Sequence, residues 1–208
     1  MTEKRLLLLS SLILLLIWIL LVKIHQPPTT FNIDVQDQFT YGKSDAPVHM
    51  IVFEEFSCPL CQVLHKETIP FIESTYVDTG KVKITIVPLA FLDDSLPACT
   101  LLLCIQKIAK SHMKSFYDFL FGLPQDDLIS FSYRDFVSAY IENHRNLPAP
   151  QVLKHLREDS FENAIEHNLS LAKKIYPGDI KVPIVLIKGK LVKNADKTTI
   201  SRAIDEAL

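Results

Sequence analysis

The segment FSCPLCQVL, residues 56–64, decides how the rest of the chain is interpreted. Cys58 follows an apolar, β-branched and aromatic stretch at residues 48–56, which predicts a buried strand. Pro59 suits the first position of a helix, where its missing N–H costs nothing. A cysteine pair at such a junction can be a redox centre, half of a zinc site or two inert core residues, and the cellular compartment bears on the choice.

The N-terminus predicts a membrane-spanning helix. Lys4 and Arg5 precede an apolar run at residues 6–22, which would be about 25 Å long as a helix, at the lower limit for crossing a bilayer. No small-residue cleavage site follows, which favours an uncleaved anchor over a cleaved signal peptide. Because positive charges stay in the cytoplasm, we expect a single-pass protein of the bacterial inner membrane whose catalytic domain faces the periplasm or the cell exterior.

The composition is that of a folded domain, and the N-terminus predicts that this domain is exported. The 208 residues suffice for one globular domain with an insertion, and the net charge of -2 provides no basic excess for binding nucleic acid. Four cysteines in an exported chain lie where disulfides persist and where a CxxC pair can be a working dithiol. No dimerisation segment is visible, so a monomer is expected.

The predicted elements follow the order strand, CxxC helix, strand, helical block, hairpin and helix. This order divides the chain into four parts. They are a membrane anchor or uncleaved signal at residues 1–23, a linker at 24–40, a core at 41–92 and 177–208, and an inserted helical domain at 93–176.

The CxxC motif predicts a nucleophile and a resolving thiol. If Cys58 caps the helix, the free backbone N–H groups of Leu60 and Cys61 point toward its sulfur, and the helix dipole favours a thiolate there. Cys61, one turn into the helix, is better shielded and is expected to resolve the mixed disulfide. Electrons would pass through the dithiol itself, so neither a cofactor nor a metal is required.

The remaining cysteines leave two alternatives open. Cys99 and Cys104 could complete a zinc site with the CxxC pair, although zinc pairs usually occupy a small turn rather than a strand-to-helix junction. They could also form a structural disulfide, but only if Cys99 precedes the first regular turn of its helix. Inside one helix, the Cα atoms of residues five apart are about 8.6 Å from each other, beyond bridging distance.

Three segments of the chain form a recognisable combination. They are GKSDAPV at residues 42–48, FSCPLC at 56–61, and VP at 182–183 followed by KGK at 188–190. Together they resemble the DsbA-like thiol:disulfide oxidoreductases, which have a thioredoxin fold, and the resemblance covers roughly residues 40–195. It implies an α/β protein whose thioredoxin core carries an inserted helical domain, preceded here by one N-terminal transmembrane helix.

The resemblance also implies a substrate site and partners. The proline that matches Pro183 is cis in this family and faces the CxxC, and the residue matching Val182 offers backbone hydrogen bonds to an extended substrate. Substrates would be exported cysteine-containing proteins. If the protein oxidises them, a DsbB-type membrane partner would reoxidise it.

Two positions depart from the family pattern. Relatives carry a buried acid six residues before the first cysteine, where this chain has Val52. Glu54 lies on the same face of the strand and is the candidate proton relay, with plain solvent exposure as the alternative. The active-site dipeptide, Pro59-Leu60, lacks the histidine of strongly oxidising members, which predicts a weak oxidant with a potential of about -180 to -270 mV.

Other functions remain open at this stage. A membrane-tethered disulfide reductase or isomerase would use the same dithiol, and a non-enzymatic chaperone could use the cysteines as ligands for a soft metal. His65 shares a helix face with Cys61 but is expected to be an exposed helix histidine without a catalytic role.

Overall fold

The computed structural model describes residues 29–91 and 95–208, together with positions 12, 13, 15 and 18. The anchor expected at residues 1–23 therefore lies outside the described residues except for those four positions, as does the first part of the expected linker. Within the described part, no helix is long and apolar enough to cross a bilayer.

A five-stranded mixed sheet forms the centre of the molecule, with the spatial order β1-β3-β2-β4-β5. β2 and β3 run parallel, and the other neighbouring pairs are antiparallel. β2 lies in the middle and is buried along almost its whole length, as its near-continuous apolar run predicts for a strand covered on both faces. The strands are β1 (Phe39–Tyr41), β2 (Val48–Glu55), β3 (Val82–Leu89), β4 (Ile184–Ile187) and β5 (Lys190–Leu191).

The CxxC helix follows β2 and continues to Val77 through four consecutive helical segments. They are α1 (Pro59–Val63), a π-helical turn (Leu64–Thr68), α2 (Ile69–Ile72) and a second π-helical turn (Glu73–Val77). α2 has Pro70 in its first turn. Pro70 cannot donate a backbone hydrogen bond to the preceding turn, and the π-helical turn directly before α2 changes the hydrogen-bond register at that point.

A helical block connects β3 to β4, in agreement with the predicted helical insertion. Its helices are α3 (Leu96–Ile108), α4 (Met113–Gly122), α5 (Gln125–Ser130), α6 (Tyr133–Ile141), α7 (Ala149–Glu158) and α8 (Glu162–Ile175). The segment LPAP at residues 147–150 contains two prolines, which predicts a break between helices, yet α7 begins inside it. Pro150 lies in the first turn of α7, where a proline is tolerated because no intrahelical N–H is needed.

Side chains of β2 alternate between two hydrophobic cores. Met50 and Val52 face the core shared with the CxxC helix, the helical block and the C-terminal helix α9 (Lys197–Asp205). Ile51 and Phe53 face a second core on the opposite side of the sheet, which α8 covers. The CxxC therefore follows the buried central strand of the sheet and enters the larger core.

Part of the expected linker is folded against the sheet. Thr30 pairs with Lys190 of β5, and the N–H of Phe31 donates to the carbonyl of Gly189 at 2.8 Å. Ile33 is buried in the second core. Alternating apolar residues in this stretch allow one side of an extended chain to cover the sheet. The chain is thus attached to the core from Thr30 onward.

Gly189→Ala is expected to lower the free energy of unfolding by about 1–3 kcal/mol. Gly189 has a φ of +78°, and an added Cβ would lie 2.6 Å from the carbonyl oxygen of Phe31. Urea unfolding followed by circular dichroism measures the loss. Gly178→Ala is the matched control because its Cβ would meet no atom within 4 Å; equal unfolding midpoints for both variants would contradict the prediction.

Candidate active site

Cys58 lies at the junction between β2 and α1. It occupies the N-cap position of α1 with extended backbone angles (φ -75°, ψ 121°), and Pro59 takes the first helical turn. The side chain is half-buried, with the sulfur 3.8 Å from the carbonyl oxygen of Val182. The sulfur therefore lies at the N-terminus of α1, the positive end of the helix dipole. It also lies next to the segment that precedes β4.

The environment of Cys58 stabilises its thiolate. A hydrogen bond from the Cys61 thiol is the largest cause, and the backbone N–H groups of Cys61 and Leu60 add to it. These donors outweigh the opposing effect of burial and lower the pKa of Cys58 to about 6. Cys58 is consequently ionised at neutral pH and fit for nucleophilic attack on a disulfide.

Cys61 is the protonated member of the pair. It is fully buried in the helix that Cys58 caps. Its hydrogen bond to Cys58, its burial and the nearby charge of Glu54 raise the pKa of Cys61 far above that of an ordinary thiol. The two thiols thus differ strongly in acidity. Backbone N–H groups of the helix donate to the sulfur of Cys58, whereas the sulfur of Cys61 lies in the core.

Val182 and Pro183 are brought to Cys58 by the antiparallel pairing of β2 with β4. Phe53 pairs with Ile184 in this register, so the residues that precede β4 reach the end of β2. The Val182-Pro183 peptide bond is cis. The carbonyl of Val182 accepts a hydrogen bond from the Cys58 thiol when that thiol is protonated.

A cleft of about 620 Å³ opens beside the CxxC. Leu60, Val63, Val182 and Pro183 are among the residues that line it. Leu60 and Val63 are 65% and 48% exposed, respectively. Uncovered apolar side chains next to a nucleophilic sulfur provide a surface on which an extended peptide can lie.

Glu54 is fully buried, so the alternative that it is solvent-exposed is wrong. The hydroxyl of Tyr117, in α4, donates a hydrogen bond to Oε2 of Glu54. Burial raises the pKa of Glu54 well above its usual value, and the charge of Cys58 raises it further. Val52, at the position of the family acid, is a buried apolar residue of the same strand.

Side chains that the sequence analysis did not identify hold the loop before Cys58. The amide of Gln62 donates to the carbonyl of Phe56 at 3.1 Å, and the amide of Gln125 donates to the carbonyl of Ser57 at 2.9 Å. The Ser57 hydroxyl in turn donates to the buried carboxylate of Glu55, at 2.8 Å from the nearer oxygen. No short sequence motif identifies Gln62 and Gln125. Their partners are backbone carbonyls, which every residue has, so the sequence does not show which carbonyl each amide meets.

His65 is buried, and the expectation of an exposed helix histidine is wrong. Its ring stacks on Phe121 with a centroid separation of 4.4 Å, and Nε2 lies 3.3 Å from a carboxylate oxygen of Asp118. Both partners belong to α4, which covers this face of the CxxC helix. The sequence shows the helix face but not which other helix covers it.

The structural disulfide considered for Cys99 and Cys104 is excluded by their positions. Both are free, buried cysteines of α3, and Cys99 follows the start of that helix at Leu96. Five residues within one regular helix hold their Cα atoms too far apart for a bridge. The Cys104 thiol instead donates to the carbonyl of Val152 at 3.6 Å.

Among the residues that the structure describes, no group of three or more histidine, cysteine or acidic side chains is arranged to hold a metal ion. The chemistry visible at this site is that of two unlike thiols beside a buried carboxyl group.

Comparison with known proteins gives a family and a fold. Residues 34–206 match the family model described as Thioredoxin. Disulfide bond formation protein D of Bacillus subtilis is 25% identical over 179 residues, covering 84% of this chain and 78% of that protein. A putative protein-disulfide oxidoreductase of Rickettsia prowazekii is 28% identical over 191 residues, covering 89% of this chain and 66% of that protein.

Solved structures show the same fold. The crystal structure of oxidised BdbD from Bacillus subtilis has a TM-score of 0.76 and 22% identity, covering 88% of this chain and 98% of that chain. The crystal structure of Chlamydia trachomatis DsbA has a TM-score of 0.72 and 23% identity, covering 87% of this chain and 95% of that chain.

Replacing Cys61 with alanine is expected to raise the pKa of Cys58 by about one unit or more, because the Cys61 thiol is its main stabilising donor. The pH dependence of Cys58 alkylation, read by peptide mass spectrometry, measures this pKa. In the reduced wild-type protein the rate should rise with pH and reach half its plateau near pH 6.

Cys104→Ala is the control for that measurement. It removes a buried thiol whose partner is the carbonyl of Val152, so the inflection should stay near that of the wild-type protein. The same inflection in Cys61→Ala and Cys104→Ala would contradict the role given to the Cys61 thiol.

Proposed function

The chain belongs to the thioredoxin family, and on this premise we propose that it is a DsbA-like thiol:disulfide oxidoreductase that exchanges disulfides with exported proteins through Cys58 and Cys61. The observation that carries the proposal is the pairing of a stabilised thiolate with a buried, protonated thiol three residues away. The names of the relatives from Bacillus and Rickettsia support the same reaction class.

The reaction proceeds by two disulfide exchanges. A substrate thiolate attacks the sulfur of Cys58 in the Cys58–Cys61 disulfide, forming a mixed disulfide while Cys61 leaves as a thiolate and takes up a proton. The second substrate thiolate then attacks the substrate sulfur of the mixed disulfide. Cys58 leaves as a stabilised thiolate, the substrate becomes oxidised by two electrons, and the protein dithiol is reduced.

Glu54 is the proposed proton donor and acceptor for Cys61. A thiolate formed in the buried position of Cys61 is unstable unless a proton arrives with it. Glu54 is buried beside it, and because its pKa is raised, the carboxyl group can hold a proton at a pH where an exposed glutamate cannot. In the reverse direction, the carboxylate takes the proton of Cys61 before that thiol attacks.

The cleft beside the CxxC is the proposed substrate site. Val182 and Pro183 shape it opposite Leu60, and an extended cysteine-containing peptide lying there would pass the sulfur of Cys58. The Val182 carbonyl faces that sulfur at 3.8 Å. Apolar contacts with Leu60 and Val63 need no fixed sequence, which suits exported proteins of many kinds as substrates.

The protein is proposed to be a weak oxidant. Strong oxidants of this class have a cysteine pKa near 3.5 and a potential near -120 mV. A pKa of about 6 for Cys58 means a less stabilised thiolate than in those proteins, and a less stabilised thiolate makes the disulfide a weaker oxidant. The potential should therefore lie well below theirs, between about -180 and -270 mV. The Leu60 side chain contributes because it offers the thiolate no hydrogen bond beyond the one from the Leu60 backbone N–H.

A second candidate function is that of a disulfide reductase or isomerase, in which electrons flow in the opposite direction through the same dithiol. The pKa of about 6 for Cys58 is also close to that of thioredoxin, near 7, which acts as a reductant. A membrane-tethered reductase or isomerase would use the same residues, and a membrane electron donor would replace a DsbB-type oxidant as partner. For either direction we propose an anchor at residues 1–23, a core at 41–92 and 177–208, and the helical insertion at 93–176.

A single-pass location in the inner membrane, with the catalytic domain outside the cytoplasm, is part of the proposal. The apolar run at residues 6–22 and the basic residues before it support this orientation. Since a tethered enzyme meets exported chains as they leave the membrane, the location agrees with disulfide exchange on newly translocated proteins.

Equilibration of the purified protein with a glutathione series is expected to give a potential of about -180 to -270 mV. A value near -200 mV or higher indicates a disulfide donor, and a value near about -270 mV indicates a reductase. A value near about -120 mV would contradict the weak-oxidant proposal.

Cys58→Ser serves as the control for the redox measurement. It retains Cys61, Cys99 and Cys104, so any oxidation that persists in this variant does not come from the CxxC pair. A wild-type protein whose Cys58 and Cys61 never cycle between dithiol and disulfide would refute the oxidoreductase function.

A further inference from the structure

We propose that Tyr117, in the helical insertion, positions the carboxyl group of Glu54 for proton exchange with Cys61. The insertion then takes part in the thiol chemistry of the core in addition to covering it. This inference rests on the proposed disulfide exchange, and it assigns a positioning residue to the proton step of that reaction.

The two oxygens of the Glu54 carboxyl group have different surroundings. Oε2 accepts the hydrogen bond of the Tyr117 hydroxyl, across 63 positions of sequence. Oε1 is buried and has no hydrogen-bond partner among the described residues. The tyrosine therefore fixes the rotation of the carboxyl group through one oxygen and leaves the other available to carry the proton.

The groups around Glu54 make this hydrogen bond important. Cys58 and Cys61 face the carboxyl group from the CxxC side and interact with its charge, as does the hydroxyl of Tyr41 from β1. Thiolate and carboxylate repel each other, and burial disfavours the carboxylate further. A neutral donor such as Tyr117 stabilises the carboxylate in this setting without adding a charge to the core.

The ring of Tyr117 is held on several sides. It lies against Phe56, Phe121 and His65, with centroid separations of 6.4, 5.2 and 4.9 Å. These contacts involve only the aromatic ring. A phenylalanine at position 117 would therefore keep the packing and remove the hydroxyl that reaches Glu54.

Polar contacts between side chains fix α4 to the CxxC helix on the same side. Asp118 lies 3.3 Å from His65, and Lys114 lies 3.0 Å from Glu73. Lys114 also pairs with Asp118 at 2.6 Å, so the four side chains form one network. Because Tyr117 immediately precedes Asp118, the network limits how far its hydroxyl can move from Glu54.

The proton step can be followed in the resolution of a mixed disulfide. When Cys58 is bonded to glutathione, the Cys61 thiol gives its proton to the Glu54 carboxylate and its sulfur attacks that of Cys58. The Cys58–Cys61 bond forms, the bond to glutathione breaks, and glutathione leaves as a thiolate. The Tyr117 hydroxyl favours this step because it stabilises the carboxylate that must accept the proton.

The test is the pH dependence of this resolution step in Tyr117→Phe. Reduced protein is mixed with oxidised glutathione, quenched with acid at intervals, and the mixed and intramolecular disulfides are separated by mass. Loss of the hydroxyl should raise the pKa of Glu54, so the inflection of the rate profile should move up by about one pH unit. Below the inflection, the rate should fall about tenfold.

Tyr140→Phe is the matched control. Tyr140 is also fully buried in the helical block, but its hydroxyl contacts Ser115 at 2.6 Å and His112 at 3.1 Å. Its profile should coincide with that of the wild-type protein. Glu54→Gln should lose the inflection, and Tyr117→Phe should have no further effect in that background because both changes act on one group.

The outcomes separate the two proposals. If the wild-type protein resolves the mixed disulfide and Tyr117→Phe has the same profile as Tyr140→Phe, the role of Tyr117 is refuted and the oxidoreductase function stands. If the wild-type protein never releases glutathione, the function is refuted and this inference with it. A shifted profile in Tyr117→Phe alone supports the inference.

A spectroscopic titration keeps the test independent of how well the variant folds. The carboxyl band that Glu54→Gln removes from the infrared difference spectrum reports the ionisation of Glu54 in the wild-type protein. Its midpoint should coincide with the kinetic inflection, and different midpoints would overturn the inference. In folded Tyr117→Phe, the midpoint should move upward by the same amount as the rate profile.

Discussion

The hydrogen bond from the Cys61 thiol to the sulfur of Cys58 is the interaction on which the rest of the site depends. It is the largest cause of the lowered pKa of Cys58, and it is also the largest cause of the raised pKa of Cys61. It exists because β2 ends before Cys58 and Pro59 starts a helix at once, which places both sulfurs on the first helical turn. The roles proposed for Glu54, for the cleft and for the Val182-Pro183 segment all require this pair of thiols.

Much of this arrangement could be predicted from local sequence. The strand before Cys58, the helix after Pro59 and the late strand after Pro183 follow from apolar runs and from where proline is tolerated. Tyr117, His65 and Gln125 could not be found in this way. Their partners lie on other elements, and no periodicity of a single helix shows which of its neighbours it will meet. The exclusion of a bridge from Cys99 likewise needed the observed start of α3 at Leu96.

The buried acid proposed as the proton relay lies at a different position from the one that the family resemblance implies. Val52 and Glu54 are two residues apart on one strand and point to the same side of the sheet. A carboxyl group at position 54 lies two residues nearer the CxxC than one at position 52, and it lies beneath α4. There it meets the hydroxyl of Tyr117. The hydrogen bond between Tyr117 and Glu54 therefore links the insertion to the core strand.

The pairing of Thr30 with Lys190 has a consequence for self-association. β5 is an outer strand of the sheet, and an outer strand with free backbone groups is a template on which another extended chain can add. Under the proposed function, the protein would meet extended chains of this kind as substrates. The segment that begins at Thr30 occupies the outer side of β5 at this position. Incoming chains are thereby kept from extending the sheet there, and the cleft beside Cys58 remains available for contacts that end with release.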